Sequence, residues 1–297
     1  MSCRVLPIVV LLLLWTPASP LGAEEWPRFR GARGAGIGDA DSIPAKWTEK
    51  DYNWKVKLPG VGHSSPVLWG NRIFLTCADA NTAQRMILCL HAADGGIVWQ
   101  RNYPSTMYRH HRDNSFASST PAVDAEGVYL SWTTPEEVTL LALNHNGHQK
   151  WRRHLGPFKS MHGSGASPIL FEDLVVLAND QKGEAFLIAV DRQTGRNRWQ
   201  VERRSGLTPA STPCMYRTET GAPELIFTST AHGITSVDPT SGRIIWELQG
   251  VFLDRCVGSP ISAHGLIIAS YGYGSRGTRL VAVRPDANNK SGAARRK

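Results

Sequence analysis

The sequence predicts an all-β fold, a β-propeller of about five four-stranded antiparallel blades, on the strength of three recurrences. Trp54, Trp99, Trp151, Trp199 and Trp246 follow one another at intervals of 45, 52, 48 and 47 residues. Gly95, Gly147, Gly195 and Gly242 each stand four residues before a tryptophan. Ser65-Pro66, Thr120-Pro121, Ser167-Pro168, Thr212-Pro213 and Ser259-Pro260 keep nearly the same beat. A fixed period of this length marks an array of supersecondary units, none able to bury its apolar face alone.

The third repeat shows the grammar of one unit. Residues 166–171 form a short apolar strand, and Glu172-Asp173 turns the chain. Residues 174–178 follow as a strand rich in β-branched side chains. Asn179 to Gly183 turns again, and residues 185–190 make a third strand. Asp191 to Gly195 is a polar turn whose glycine supplies a positive φ. Residues 197–201 then alternate as a fourth, edge-like strand carrying Trp199. The first repeat places strands at 65–69, 72–77, 85–91 and 97–101, and the second at 120–124, 127–133, 138–144 and 149–153. The fourth places them at 212–216, 224–229, 233–238 and 243–248. Four short strands joined by tight hairpins, repeated radially, are the signature of propeller blades. No segment keeps a 3.6-residue apolar period, which excludes a solenoid of helix pairs.

The fifth repeat is incomplete. It has strands at 259–262, 266–271 and 279–284, but Gly292 stands where the next tryptophan is due. At the other end, residues 53–58, with Trp54, read as a fourth-type strand that has no sheet of its own. Two endings follow: an incomplete arc of a larger ring, or a closed five-bladed ring in which strand 53–58 completes the fifth blade and hides two edges.

The chain of 297 residues, 41% of them hydrophobic, supports a sizeable core. Its net charge is +8, but Lys290, Arg295, Arg296 and Lys297 supply half of that excess in a terminal tail, so nucleic acid is not an expected partner. Arg4, the uncharged run from Val5 to Trp15 and the small residues up to Ala23 read as an export signal. That run is too short to span a bilayer. The expected organisation is a signal peptide over 1–23, an extended lead over 24–51, propeller repeats over 52–285 and a disordered basic tail over 286–297. The mature protein is expected outside the cytoplasm, as a monomer with no integral membrane segment. Cys77 and Cys89 fall on neighbouring strands, which permits either one disulfide or two buried thiols.

The repeats resemble the PQQ-like β-propeller family of the quinoprotein alcohol dehydrogenase-like superfamily, in its exported bacterial type. Residues 189–199 and 236–246 carry the family's Ala-x-Asp-x-x-Thr-Gly-x-x-x-Trp pattern, with Ser236 in place of the first alanine in the second copy. Looser copies end at Trp99 and Trp151, and Trp26-Pro27-Arg28-Phe29-Arg30-Gly31 is similar to the opening of exported members. The resemblance covers roughly residues 52–285. It implies rings of seven or eight blades, which favours the arc. It also implies that the repeat's tryptophans and glycines dock blade on blade.

Family chemistry does not carry over so readily. The resemblance implies, for the enzymes, a quinone bordered by adjacent cysteines and a calcium ion held by carboxylate and amide oxygens. No two cysteines are adjacent here. Asp79, Asp94, Asp113, Asp124, Asp173, Asp191 and Asp238 are spread over turns, whereas calcium needs six to eight oxygens at one point. No catalytic or metal-ligating residue is therefore assigned. Gly34-Ala35-Gly36-Ile37-Gly38 is a loop and not a phosphate cradle, because no helix follows it. His110-His111 reads as part of a solvated loop, since neighbours on a strand face opposite ways.

Geometry offers one candidate surface. The first strand of each blade lines the propeller axis, so the stretches before the Ser/Thr-Pro pairs meet at one mouth of the channel. They bring His63, Asn114, His162 and Arg255 together as candidate ligand-binding residues, and a concave polar rim is the usual site on such a scaffold. The expected function is a non-catalytic scaffold that binds a protein or polymer partner through blade loops and needs no cofactor. The alternative is a fragment of a periplasmic PQQ-dependent oxidoreductase, for which PQQ and Ca²⁺ would be the cofactors.

Overall fold

The computed structural model describes residues 25–38, 44–274 and 277–285. The expected signal peptide, Gly292 and the basic tail lie outside these residues. Within them the chain forms five antiparallel sheets. Blade 1 holds β1 (Val67–Trp69), β2 (Arg72–Ala78), β3 (Arg85–His91) and β4 (Ile97–Tyr103). Blade 2 holds β5 (Ala122–Asp124), β6 (Gly127–Thr133), β7 (Val138–Leu143) and β8 (Gln149–His154). Blade 3 holds β9 (Ile169–Phe171), β10 (Leu174–Asn179), β11 (Ala185–Asp191) and β12 (Asn197–Arg203). Blade 4 holds β13 (Cys214–Arg217), β14 (Pro223–Ser229), β15 (Gly233–Val237) and β16 (Ile244–Leu248). Blade 5 holds only β17 (Ile261–Ala263), β18 (Leu266–Gly272) and β19 (Thr278–Val283). Among the described residues no helix is long and apolar enough to cross a membrane.

The core lies between blades, because each sheet buries both faces of its middle strands. Phe74, Ile87 and Cys89 of blade 1 pack on Val128, Leu130 and Leu141 of blade 2. The same arrangement joins blade 2 to 3, blade 3 to 4 and blade 4 to 5. The outer strands present their tryptophans to a small partner across the ladder. Trp99 stands opposite Cys89, Trp151 opposite Ala142, Trp199 opposite Ala189 and Trp246 opposite Ser236.

Four tryptophans dock on the next unit as the repeat implied. The indole N–H of Trp54 donates to the Ala92 carbonyl, that of Trp99 to His145, that of Trp151 to Arg192 and that of Trp199 to Pro239, at 2.8–2.9 Å. Each ring lies flat on a turn glycine, and a methyl group added at Gly95, Gly147, Gly195 or Gly242 would meet it at 2.5–2.9 Å. Glycine is required at these turns twice over, because their φ values of 71–78° are also left-handed. Trp246 departs from the pattern. Its N–H donates to Glu224 of its own blade at 3.0 Å, and the turn on which it would dock falls beyond residue 285.

The Ser/Thr-Pro beat is a hydrogen-bond ladder around the axis. The Ser65 amide donates to the Thr120 hydroxyl, Thr120 to Ser167, Ser167 to Thr212 and Thr212 to Ser259, at 2.9–3.1 Å. A hydroxyl at this position satisfies a buried amide of the preceding blade, and the proline after it has no N–H left to satisfy.

One expectation is corrected and two open choices are resolved. Residues 53–58 are not a strand of any sheet, and among the described residues the fifth blade holds three strands, so 53–58 does not close a five-bladed ring. Trp54 and Leu58 instead cover the free face of blade 1, against Gly95 and the cluster of Leu75, Cys77, Met86 and Leu88. Cys77 and Cys89 are free and buried. Cys77 pairs with Met86 across β2 and β3, three residues from Cys89. An odd offset puts the two thiols on opposite faces of the sheet, which forbids a disulfide.

The lead ties the arc together. Trp26 exchanges two backbone hydrogen bonds with Leu68, and Pro27 accepts from Val123. Arg28 then donates to the Pro213 carbonyl at 2.9 Å and Arg30 to that of Ser259 at 3.3 Å. The lead thus touches the inner strands or their approaches in blades 1, 2, 4 and 5. Arg28 is buried without a carboxylate partner, and burial lowers its pKa to about 10.

Candidate functional site

The inner strands begin at one end of the axis, so the loops that feed them converge there. His63, Asn114, His162 and Arg255 all line a single cavity of about 610 Å³ at this mouth. The structure therefore brings the four together, but their side chains differ in what they have left to offer. The Asn114 amide donates to the carbonyls of His162 (2.6 Å) and Ser164 (3.3 Å), and its oxygen accepts from the Ser115 amide and the Ser118 hydroxyl. Asn114 is thus a clamp between neighbouring loops. His63 is exposed, held by its backbone amide on the Ala117 carbonyl at 3.0 Å. Arg255 is half-buried, with its guanidinium 3.5 Å from the Thr208 carbonyl, and burial lowers its pKa.

His162 stands with its ring 5.2 Å from that of His111, edge to face. Its pKa is lowered by burial first, then by the positive charges of Arg255, His111 and Lys182. Asp113, the carboxylate on the cavity wall, already faces His111 at 3.5 Å and Arg112 at 3.6 Å. Thr208 also lines the wall at 5% exposure, and its hydroxyl is buried without a hydrogen-bond partner among the described residues. An exposed apolar rim adjoins the cavity, formed by Val257 and Tyr273 on its wall and Met161 beside it. Val61, Met107 and Leu253 are exposed on the connections between blades.

Sequence reasoning missed His111 and Tyr273, and put Thr208 in a stretch at the mouth without singling it out. His111 was set aside with a solvated loop, yet the long connection from β4 to β5 folds back over the mouth and its amide bonds the His162 carbonyl at 3.3 Å. The length of that connection was the available signal. Thr208 had the signal of its place before Thr212-Pro213, but nothing local shows that its hydroxyl is left without a partner.

The family model described as outer membrane protein assembly factor BamB matches residues 47–206 and, again, 167–295. The chain belongs to this family of PQQ-like β-propellers. No curated protein matches the sequence significantly. Among solved structures, BamB from Moraxella catarrhalis is 16% identical, with a TM-score of 0.51 over 78% of this chain and 61% of its own. The quinohemoprotein alcohol dehydrogenase of Comamonas testosteroni is 14% identical, with a TM-score of 0.51 over 71% of this chain and 44% of its own. The C-terminal domain of Pseudomonas aeruginosa PilY1 is 13% identical, with a TM-score of 0.51 over 74% and 58%. These likenesses are of fold. This PQQ-like chain spans 61% or less of each of the three.

The residues present do not suit the quinone and calcium of the enzymes that share the fold. The cavity wall offers Asp113 as its carboxylate, already beside His111 and Arg112, and the guanidinium of Arg255. Among the described residues no group of three or more His, Cys, Asp or Glu could hold a metal ion. The buried thiols of Cys214 and Cys256 are held up at about 12 by burial, far from the thiolate form.

Proposed function

We propose that this chain is an exported, non-catalytic propeller scaffold that binds a protein or polymer partner through the loops at its channel mouth. The observation that carries this reading is the mouth itself: a polar cavity with Val257 and Tyr273 exposed on its wall and Met161 exposed on the hollow beside it. Exposed apolar side chains gathered beside a concave polar surface are a usual mark of an interaction site. Membership of a family described by an outer membrane assembly factor supports a protein partner. Among the described residues the cavity wall offers Tyr273 as its one aromatic ring other than histidine, which supports protein over nucleic acid.

The second reading, a fragment of a quinone-dependent oxidoreductase, draws on the fold shared with an alcohol dehydrogenase. Adding PQQ and Ca²⁺ to the purified protein and recording quinone absorbance and dye reduction with alcohols or sugars separates the two. The scaffold reading predicts no retained quinone and no dye reduction. A stoichiometric bound quinone with turnover would replace it by the enzyme reading.

A further inference from the structure

We infer that the segment of the partner received at the mouth is an acidic, amphipathic peptide, with Arg255 and the trio Arg109, Lys159 and Lys182 as its counter-charges. This rests on the partner-binding reading above and adds the chemistry of what is bound.

Two adjoining hollows carry the inference. The axial cavity of about 610 Å³ shares Gly163 with a second of about 390 Å³, lined by Arg109, Lys159, Lys182 and the exposed Met161. Together they make a trough running from the axis outwards across blades 2 and 3. None of the described ion pairs involves Arg109, Lys159, Lys182 or Arg255. Ion pairs form elsewhere at both ends of the propeller, as between Arg192 and Asp124 at 2.6 Å and between Arg203 and Asp180 at 3.2 Å. What marks the trough is that four cations without an ion pair among the described residues are gathered in two adjoining hollows. Complementary charge of this kind selects and orients a partner.

The unpartnered Thr208 hydroxyl is independent of the charges. A buried hydroxyl with nothing to bond costs about 1–3 kcal/mol, and a carboxylate brought to the wall beside Arg255 offers it an acceptor. The apolar rim supplies the other half of the recognition. Met107 and Met161 are flexible, polarisable side chains suited to leucine or phenylalanine of varied sequence. A small carboxylate alone would leave that rim uncovered, and a nucleic acid would ask for stacking rings where the wall offers Tyr273.

The test uses the full chain and a fluorescein-labelled nonapeptide alternating glutamate with leucine and phenylalanine, read by anisotropy. Its glutamine counterpart, citrate as competitor, and a labelled thymidine oligonucleotide of similar charge are the other arms. The expected result is saturable binding of the acidic peptide, at least about tenfold weaker for the glutamine peptide. Citrate should compete only weakly. Binding should fall at least about tenfold in Arg255→Gln and in the triple variant Arg109→Gln, Lys159→Gln, Lys182→Gln, but not in Arg196→Gln at the opposite end. Wild-type protein supplies a readout free of folding effects: raising salt from about 50 to 500 mM should weaken the acidic peptide and leave the glutamine peptide unchanged. Equal binding of the two peptides, no binding of either, or tighter binding of the oligonucleotide each overturns the inference. The partner-binding reading does not fall with it, because crosslinking from the apolar rim tests that reading with no assumption about charge.

Discussion

Gly195 shows how one residue can hold two constraints. Its φ of 71° disfavours any side chain, and the Trp151 ring lies 2.8 Å from where a Cβ would be. The left-handed backbone costs a non-glycine residue about 1–2 kcal/mol, and a displaced buried ring adds roughly 1–3 kcal/mol. Gly195→Ala is therefore expected to lower unfolding free energy by about 2–4 kcal/mol in denaturant titrations. Gly206→Ala, where the added carbon meets open space, should stay within about 0.5 kcal/mol. Thr120→Val tests the axial ladder at nearly constant volume. It strands the Ser65 amide, and the expected loss is about 1–3 kcal/mol. His162 gives a pH dependence with a defined sign. Its folded pKa lies below 6.5, so the unfolded chain takes up the proton first and stability falls as pH drops through that value. The groups that face it are Arg255, His111, Lys182 and Asp113. In unfolding titrations from about pH 7.5 to 5, His162→Gln should flatten that part of the slope; an unchanged slope would assign it elsewhere.

At the scale of the element, the strands were legible in the sequence because their signals are local. Alternation, β-branched runs and Asp-x-x-Thr-Gly turns gave β10 to β12 to within two residues, and began β9 three residues early. Residues 53–58 alternate just as well, yet pair with nothing. A strand needs a partner ladder, and no local pattern says whether one is present. The Cys77–Cys89 question was decidable from register, since three residues of offset reverse the face. What could not be read was Thr208 or Asn114, whose roles depend on loops from different blades meeting. The blades should also differ in stability. A repeat array is held by nearest-neighbour interfaces, and among the described residues no outer strand covers β19, with Leu280 68% exposed. Amide hydrogen exchange is expected to be fastest in β19 and slowest in β7, β10 and β11, whose side chains are buried throughout except Asp191. Uniform protection across all five sheets would contradict this account of the interfaces.

For the molecule as a whole, the two ends of the propeller are unlike. One end carries the indole-glycine docks. The other carries the cavity and the hollow beside it, lined by Arg255, Arg109, Lys159 and Lys182. The sequence located that mouth through His63, Asn114, His162 and Arg255, because inner strands must start at a common end. It could not show that Asn114 is engaged or that the second basic hollow joins the first, since both depend on how neighbouring loops fold over one another. The central claim is that this mouth is the partner surface. The most direct test is a photo-crosslinker placed singly at Met107, Met161 or Val257, and at Ile97, Val98 or Ile244 on the outer strands, in the native cell. The account predicts one discrete adduct, the same from all three mouth positions and missing from the three outer positions. Adducts from the outer strands with none from the mouth would contradict it.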